Sequence, residues 1–198
     1  MDFKVFENLK SKIITWHESF CFPVKAEILE EMICRVLQEN KVNFSWKKAS
    51  HKSCTDITAA GKNFSMKSGK DEKGIISISS SRTTKSIRLA DKIIQINKSL
   101  DECDYIFLCC RSEAYDDLSY STYIIPSKLF KLDTVEFVSG STGHTGKNEY
   151  FNCSIVNNMS DQLWYYFNKE KLEEFKLFKA DFKKKIYING LEDIRFVA

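Results

Sequence analysis

A chain of 198 residues with 43% hydrophobic and 13% aromatic residues carries enough apolar surface to build a core of ordinary size, which excludes a disordered or low-complexity polypeptide. Thirty Lys and Arg against twenty-seven Asp and Glu leave a formal charge of +3, far from the cationic excess of a histone-like binder, so a nucleic-acid partner is permitted without being required. Seven cysteines form an odd set without a CxxC pair and the three histidines are scattered, which argues against a zinc module and for reduced thiols.

The opening MDFKVFENLK lacks the basic, apolar and small-residue order of a signal peptide, and no apolar run approaches the ~20 residues of a membrane span, so a cytoplasmic protein without a membrane segment is expected. No repeat or proline-rich linker divides the chain, and residues 1–198 are expected to form a single domain.

Residues 3–18 read as a helix. After Pro23 the segment KAEILEEMICRVLQEN sets Ile28, Leu29, Met32, Ile33, Val36 and Leu37 at helical spacing. In SCTDITAAGKNFSMKSG two extended runs flank a turn at Gly61, and GIISISSS alternates Ile with Ser as a further strand. Thr83 or Thr84 is expected to cap a helix through KSIRLADKIIQINKSL, with Ile87, Ala90, Ile93, Ile94 and Ile96 on its apolar face. DYIFLCCR and YSTYIIP read as strands of a sheet covered by helices. Residues 139–148, SGSTGHTGKN, read as a polar glycine-rich loop, YFNCSIV as a strand, and EKLEEFKLFKADFKKKI as a terminal helix. Its Lys183, Lys184 and Lys185 are read as the cation-rich end favoured by the helix dipole.

Asp56 ends one extended run, and Ser65 and Lys67 lie two apart on the next, so both project from one face of a strand that the Gly61 turn folds back beside Asp56. A carboxylate and a lysine meeting at one point suit phosphodiester cleavage, where cations neutralise phosphate and water must be activated.

TDI, seven residues, then SMK resembles the D…(E/D)xK signature of the PD-(D/E)XK nucleases. The segments that follow, ISISSSRTTKSIRLADKIIQIN, then DYIFLCCR and YIIPSKL, are similar in order to those of type II restriction enzymes in that superfamily, over about residues 25–130. The resemblance implies an α/β fold with a restriction-endonuclease-like central mixed β-sheet flanked by α-helices. It also implies Mg²⁺ as cofactor, double-stranded DNA as substrate and a homodimer where the recognised sequence is palindromic. By the same resemblance Asp56 is the metal-binding aspartate and Lys67 the catalytic lysine. Ser65 stands where a carboxylate is usual, with a water expected on its hydroxyl, and the Met66 main-chain carbonyl is a metal ligand. A glutamate from the preceding helix completes the set, Glu30 first, with Glu27 and Glu31 as substitutes. The other readings that this resemblance leaves open are a repair or recombination nuclease of the same fold and a DNA-binding subunit without catalysis.

Contacts to DNA are expected from Lys70, Ser81, Arg82, Thr84 and Lys85 around the end of the Ile/Ser strand, with Arg82 suited to phosphate or a guanine edge. His144, Lys147 and Asn148 are expected to enter a groove from the glycine-rich loop. Trp46, Trp164 and the tyrosines are read as core.

Overall fold

The spacing of apolar residues dictates the first two elements of the computed structural model, which describes residues 3–20, 22–47, 54–83, 87–114, 117–156 and 161–183. Helix α1 (Phe3–Ser19) buries Val5, Leu9 and Ile13, and α2 (Ala26–Glu39) buries Leu29, Met32, Ile33, Val36 and Leu37, as a 3.6-residue period requires. Their apolar stripes pack with Phe64, Met66, Phe107 and Tyr120 of the sheet beneath. Truncating Leu29, which has no exposed surface, to alanine would cost about 2–5 kcal/mol in lost transfer energy and residual cavity.

Strands β1 (Phe44–Trp46) and β2 (Ile57–Ala59) pair antiparallel, and β2 turns into β3 (Lys62–Glu72) through Ala60 and Gly61, both at positive φ. β3 returns as β4 (Ile75–Thr83) through Lys73 and Gly74, again both at positive φ. Two positive φ values in a two-residue loop define a type I′ turn, whose twist matches that of paired strands and fixes their register. Helix α3 (Leu89–Leu100) then leads into β5 (Tyr105–Glu113), which lies parallel to β3, and β6 (Asp117–Pro126) returns antiparallel. The chain continues through a 3₁₀ helix (Ser127–Phe130), β7 (Glu136–Gly140), β8 (Gly143–Lys147), β9 (Phe151–Val156), β10 (Asp161–Asn168), a second 3₁₀ helix (Lys169–Phe175) and β11 (Lys176–Lys183). The mixed sheet runs β11-β6-β5-β3-β4-β10-β9-β8-β7, with β2 on β3 and β1 on β2.

Each face of the sheet carries its own core. On one, α1 and α2 cover the half containing β3, β5, β6 and β11. On the other, Ile96 and Leu100 of α3 and Phe130, Leu132 and Leu172 cover Ile76, Ile78, Leu108, Tyr123, Tyr165 and Phe167. A buried ion pair, Lys92 to Asp161, ties α3 to the first residue of β10.

Three local expectations are corrected. The basic tail is not a helix: Phe178, Ala180 and Phe182 recur at period two and pair through β11 with β6, which satisfies the sheet edge beneath α1. The segment 139–148 is not a loop but most of the β7–β8 hairpin. Gly146 serves close packing there, since a Cβ would lie 2.5 Å from Val135 Cγ1. Helix α3 starts at Leu89 behind Arg88, without a side-chain cap, because Thr83 is spent in β4 pairing with Asp161. Its inward face is Leu89, Ile93, Ile96 and Leu100, whereas Ile94 is 64% exposed and Ala90 is exposed.

Candidate active site

Both β2 and β4 pair with the edge of β3 opposite β5. β2 takes residues 62–64 and β4 takes residues 69–72. The stretch Ser65–Ser68 between them is an opening in the ladder, and beyond Ile78 β4 diverges to pair with β10 alone. Gly69 stands at the rim, where a Cβ would lie 3.0 Å from Cys110 Sγ and 3.1 Å from Ser77 O.

Asp56 fills the position a strand would otherwise occupy. Its amide donates to Phe64 O at 2.9 Å, its Oδ2 accepts from Met66 N at 2.6 Å, and the Ser65 hydroxyl donates to the same oxygen at 3.2 Å. Residues of a strand present N–H and C=O to the same side, so the Met66 carbonyl is aimed into the same opening. Ser65 is fully buried, and its hydroxyl donates to Asp56.

Among the three glutamates of α2 the geometry separates one. Glu27 and Glu31 are exposed, and Glu31 pairs with Arg35 at 2.7 Å. Glu30 is half-buried and accepts a hydrogen bond from Trp46 Nε1 at 3.1 Å. Burial raises its carboxyl above the usual carboxylate range, the negative charges of Asp56 and Glu27 raise it further, and the Trp46 hydrogen bond and the Lys67 charge oppose the rise. Glu30, Asp56 and Lys67 thus share one electrostatic environment. Trp46, read from sequence as core, is the residue that orients Glu30.

Two thiols adjoin the group. The Cys54 and Cys103 sulfurs are 3.4 Å apart. The Cys103 hydrogen bond, with the Lys67 charge adding, holds the Cys54 thiol down at about 6, and the same interaction with burial pushes Cys103 up.

Asp56 and the Met66 carbonyl face the opening, the Glu30 carboxylate lies within reach of the Asp56 charge, and all three are oxygen donors. Among the described residues no three His, Cys, Asp or Glu side chains gather as a metal cluster. Oxygen donors of this kind fit a hard cation like Mg²⁺, which keeps several waters and takes one or two carboxylates.

The residues expected at DNA divide between the two faces. Lys70 projects from the face opposite Lys67 and pairs with Glu72, Ser81 lies in the irregular part of β4, and Arg82 Nε donates to Gln162 Oε1 at 2.8 Å. Lys147, opposite Asn152, shares the side of Lys70, Ser77, Trp164 and Tyr166, a part of the sheet that is exposed or half-exposed. His144 lies opposite Ile155 on the other face, with Nδ1 3.2 Å from Ser139 Oγ. Asn148 is a turn residue, its Oδ1 accepting from Tyr150 N and Phe151 N at 2.9 Å each. Thr84, Lys85, Lys184 and Lys185 lie outside the described residues.

No helix among the described residues is long and apolar enough to cross a membrane. No family model matches the chain, and no curated protein or solved structure does so either.

Proposed function

We propose that the chain is a Mg²⁺-dependent endonuclease of the type II restriction class, with a restriction-endonuclease-like fold, that hydrolyses phosphodiester bonds of double-stranded DNA at a specific sequence and leaves 5′-phosphates. The observation that supports this reading is the Asp56 carboxylate held by the Met66 amide in the opening of the β3 edge, with the Glu30 and Lys67 charges near enough to act on one another. Asp56, Glu30 and the Met66 carbonyl are the groups that would hold Mg²⁺, which when bound supplies charge neutralisation at the scissile phosphate and a more acidic water. Ser65 and the Met66 amide orient the Asp56 carboxylate, and Trp46 orients Glu30. Lys67 offers an ammonium to the phosphate oxygens and positions the attacking water, which displaces the 3′ oxygen. Lys70, Arg82 and Lys147 lie on the exposed side of β3, β4 and β8, spread over four strand spacings, or roughly 19 Å, so a duplex whose backbone they contact would meet Lys67, which projects from the other face, only through the opening in the β3 edge. A homodimer related by a two-fold axis would present one such site to each strand of a palindromic sequence.

The burial of Ser65 where a third metal-binding oxygen is usual favours a second reading, a DNA-binding subunit of the same fold that does not cut. Unmethylated phage DNA incubated with the protein in Mg²⁺ or EDTA decides between them. Discrete Mg²⁺-dependent fragments, lost in Asp56→Ala and Lys67→Ala, support the endonuclease. Cutting confined to nicked or branched substrates indicates a repair enzyme, and a mobility shift without cutting in Mg²⁺ or Mn²⁺ indicates the binding subunit.

A further inference from the structure

Cys54 precedes β2 and Cys103 leads into β5, forty-nine residues later, yet their sulfurs lie 3.4 Å apart. The segments bearing them are already tied together. Thr55 Oγ1 donates to Glu102 O at 2.7 Å, Asn63 Nδ2 donates to the same carbonyl at 3.2 Å, and Asp104 N donates to Asn63 O at 2.9 Å. The Cys103 carbonyl is held in turn by Ser127 Oγ at 2.5 Å. A disulfide needs its sulfurs at about 2 Å, so with both backbones anchored nearby the remaining gap is one for side-chain rotation to close. Cys103 is 5% exposed and Cys54 is half-buried, so a dissolved oxidant meets Cys54 first. Cys34, Cys109, Cys110 and Cys153, the other described cysteines, are all buried.

We propose that Cys54 and Cys103 form a redox-active dithiol that closes to an intramolecular disulfide on reaction with a small disulfide such as oxidised glutathione. The Cys54 sulfur, its proton lost to solvent, attacks one sulfur of the reagent, breaks its S–S bond and expels one glutathione thiolate, which takes up a proton. The Cys103 sulfur then gives its proton to solvent, attacks the Cys54 sulfur, breaks the mixed disulfide and expels the second glutathione, which is protonated in turn. Two protein thiols are oxidised by two electrons and one disulfide is reduced to two thiols. The new bond ties the segment carrying Asp56 to the head of β5, the strand paired with Lys67, through Lys67 opposite Leu108. It forms whether or not the site cuts DNA.

The test uses the full chain in its native state. After incubation with oxidised glutathione, free thiols are blocked with iodoacetamide, and the protein is digested and read by mass spectrometry. The expected result is a peptide pair joined through Cys54 and Cys103, with two alkylatable thiols lost and both restored by dithiothreitol. In Cys103→Ser, glutathione should remain on Cys54. Full alkylation of both cysteines in the wild type, glutathione persisting on Cys54, or Cys54 joined to another cysteine overturns the proposal. The wild-type peptide map decides the matter even if the variant does not fold.

Discussion

The Met66 amide donates to the Asp56 carboxylate at 2.6 Å, at a position on the β3 edge that neither β2 nor β4 reaches. One side chain therefore does two jobs, completing the hydrogen bonding of a buried strand and presenting a carboxylate in the opening of that strand's edge. Asp56→Ala leaves the amide of Met66, 3% exposed, without its acceptor, at a cost of about 1–3 kcal/mol, or an unfolding midpoint lower by roughly 5 °C. Asp56→Asn keeps an oxygen acceptor and should lose less than half as much, while under the proposed function neither variant should cleave DNA in Mg²⁺. Thermal denaturation checks the first claim, and equal losses in the two variants would sink it.

Glu30 makes the site sensitive to pH in a defined direction. Burial chiefly, with the charges of Asp56 and Glu27, raises its carboxyl in the folded state, so the folded protein binds that proton more tightly than the unfolded chain does. The stability it contributes is present at low pH and is lost as pH rises through the window between the ordinary carboxylate value and the raised one. In EDTA, Glu30→Gln should therefore melt above the wild type at about pH 8, and the difference should shrink towards about pH 5. A bound cation needs the ionised form, so Mg²⁺ should raise the wild-type midpoint more at the higher pH, and the variant should lose part of that gain. A difference between wild type and variant that does not change with pH contradicts the argument.

The exposed side of the sheet and its opposite face predict different behaviour for neighbours in one hairpin. Lys147 is exposed on the side shared with Lys70, whereas His144 faces the other way beside Ser139. In duplex-binding titrations Lys147→Ala should weaken binding uniformly across sequences and reduce the logarithmic salt slope by about 0.9, the value for one lost phosphate contact. His144→Ala should leave both unchanged. A reversed result would move the duplex to the α3 side.

The approach of Asp56 to Ser65, with Lys67 two residues on along the same face, was legible because strand alternation and a two-residue turn are local rules, and the Ala60–Gly61 turn obeys them. Glu30 was narrowed only to a set of three, since helical periodicity tells one face from another but not which carboxylate meets Trp46. The Cys54–Cys103 contact had no sequence signal: it arises because β5 returns parallel to β3 through the α3 crossover, which brings the residue before β5 beside the segment before β2. Glycine and lysine content misled where tertiary pairing decides. Gly146 packs under Val135, and the lysine-rich tail ends as a strand because β6 offered it an edge.

The far end of β4 is joined to α3 by a buried charge pair. Lys92 and Asp161 have side chains 5% and 1% exposed, and Asp161 pairs in the ladder with Thr83, the last residue of the diverging β4. Asp161 Oδ1 has no hydrogen-bond partner among the described residues, so the Lys92 ammonium is the main compensation for that buried carboxylate. Lys92→Ala leaves it alone, which costs about 3–5 kcal/mol and should lower the unfolding midpoint by roughly 10 °C. Replacing both partners, Lys92→Met with Asp161→Leu, removes two desolvated charges together and should restore most of that loss. Thermal denaturation of the single and double variants checks this. If the double variant is as unstable as the single one, the pair is held by its hydrogen-bond geometry rather than by mutual neutralisation.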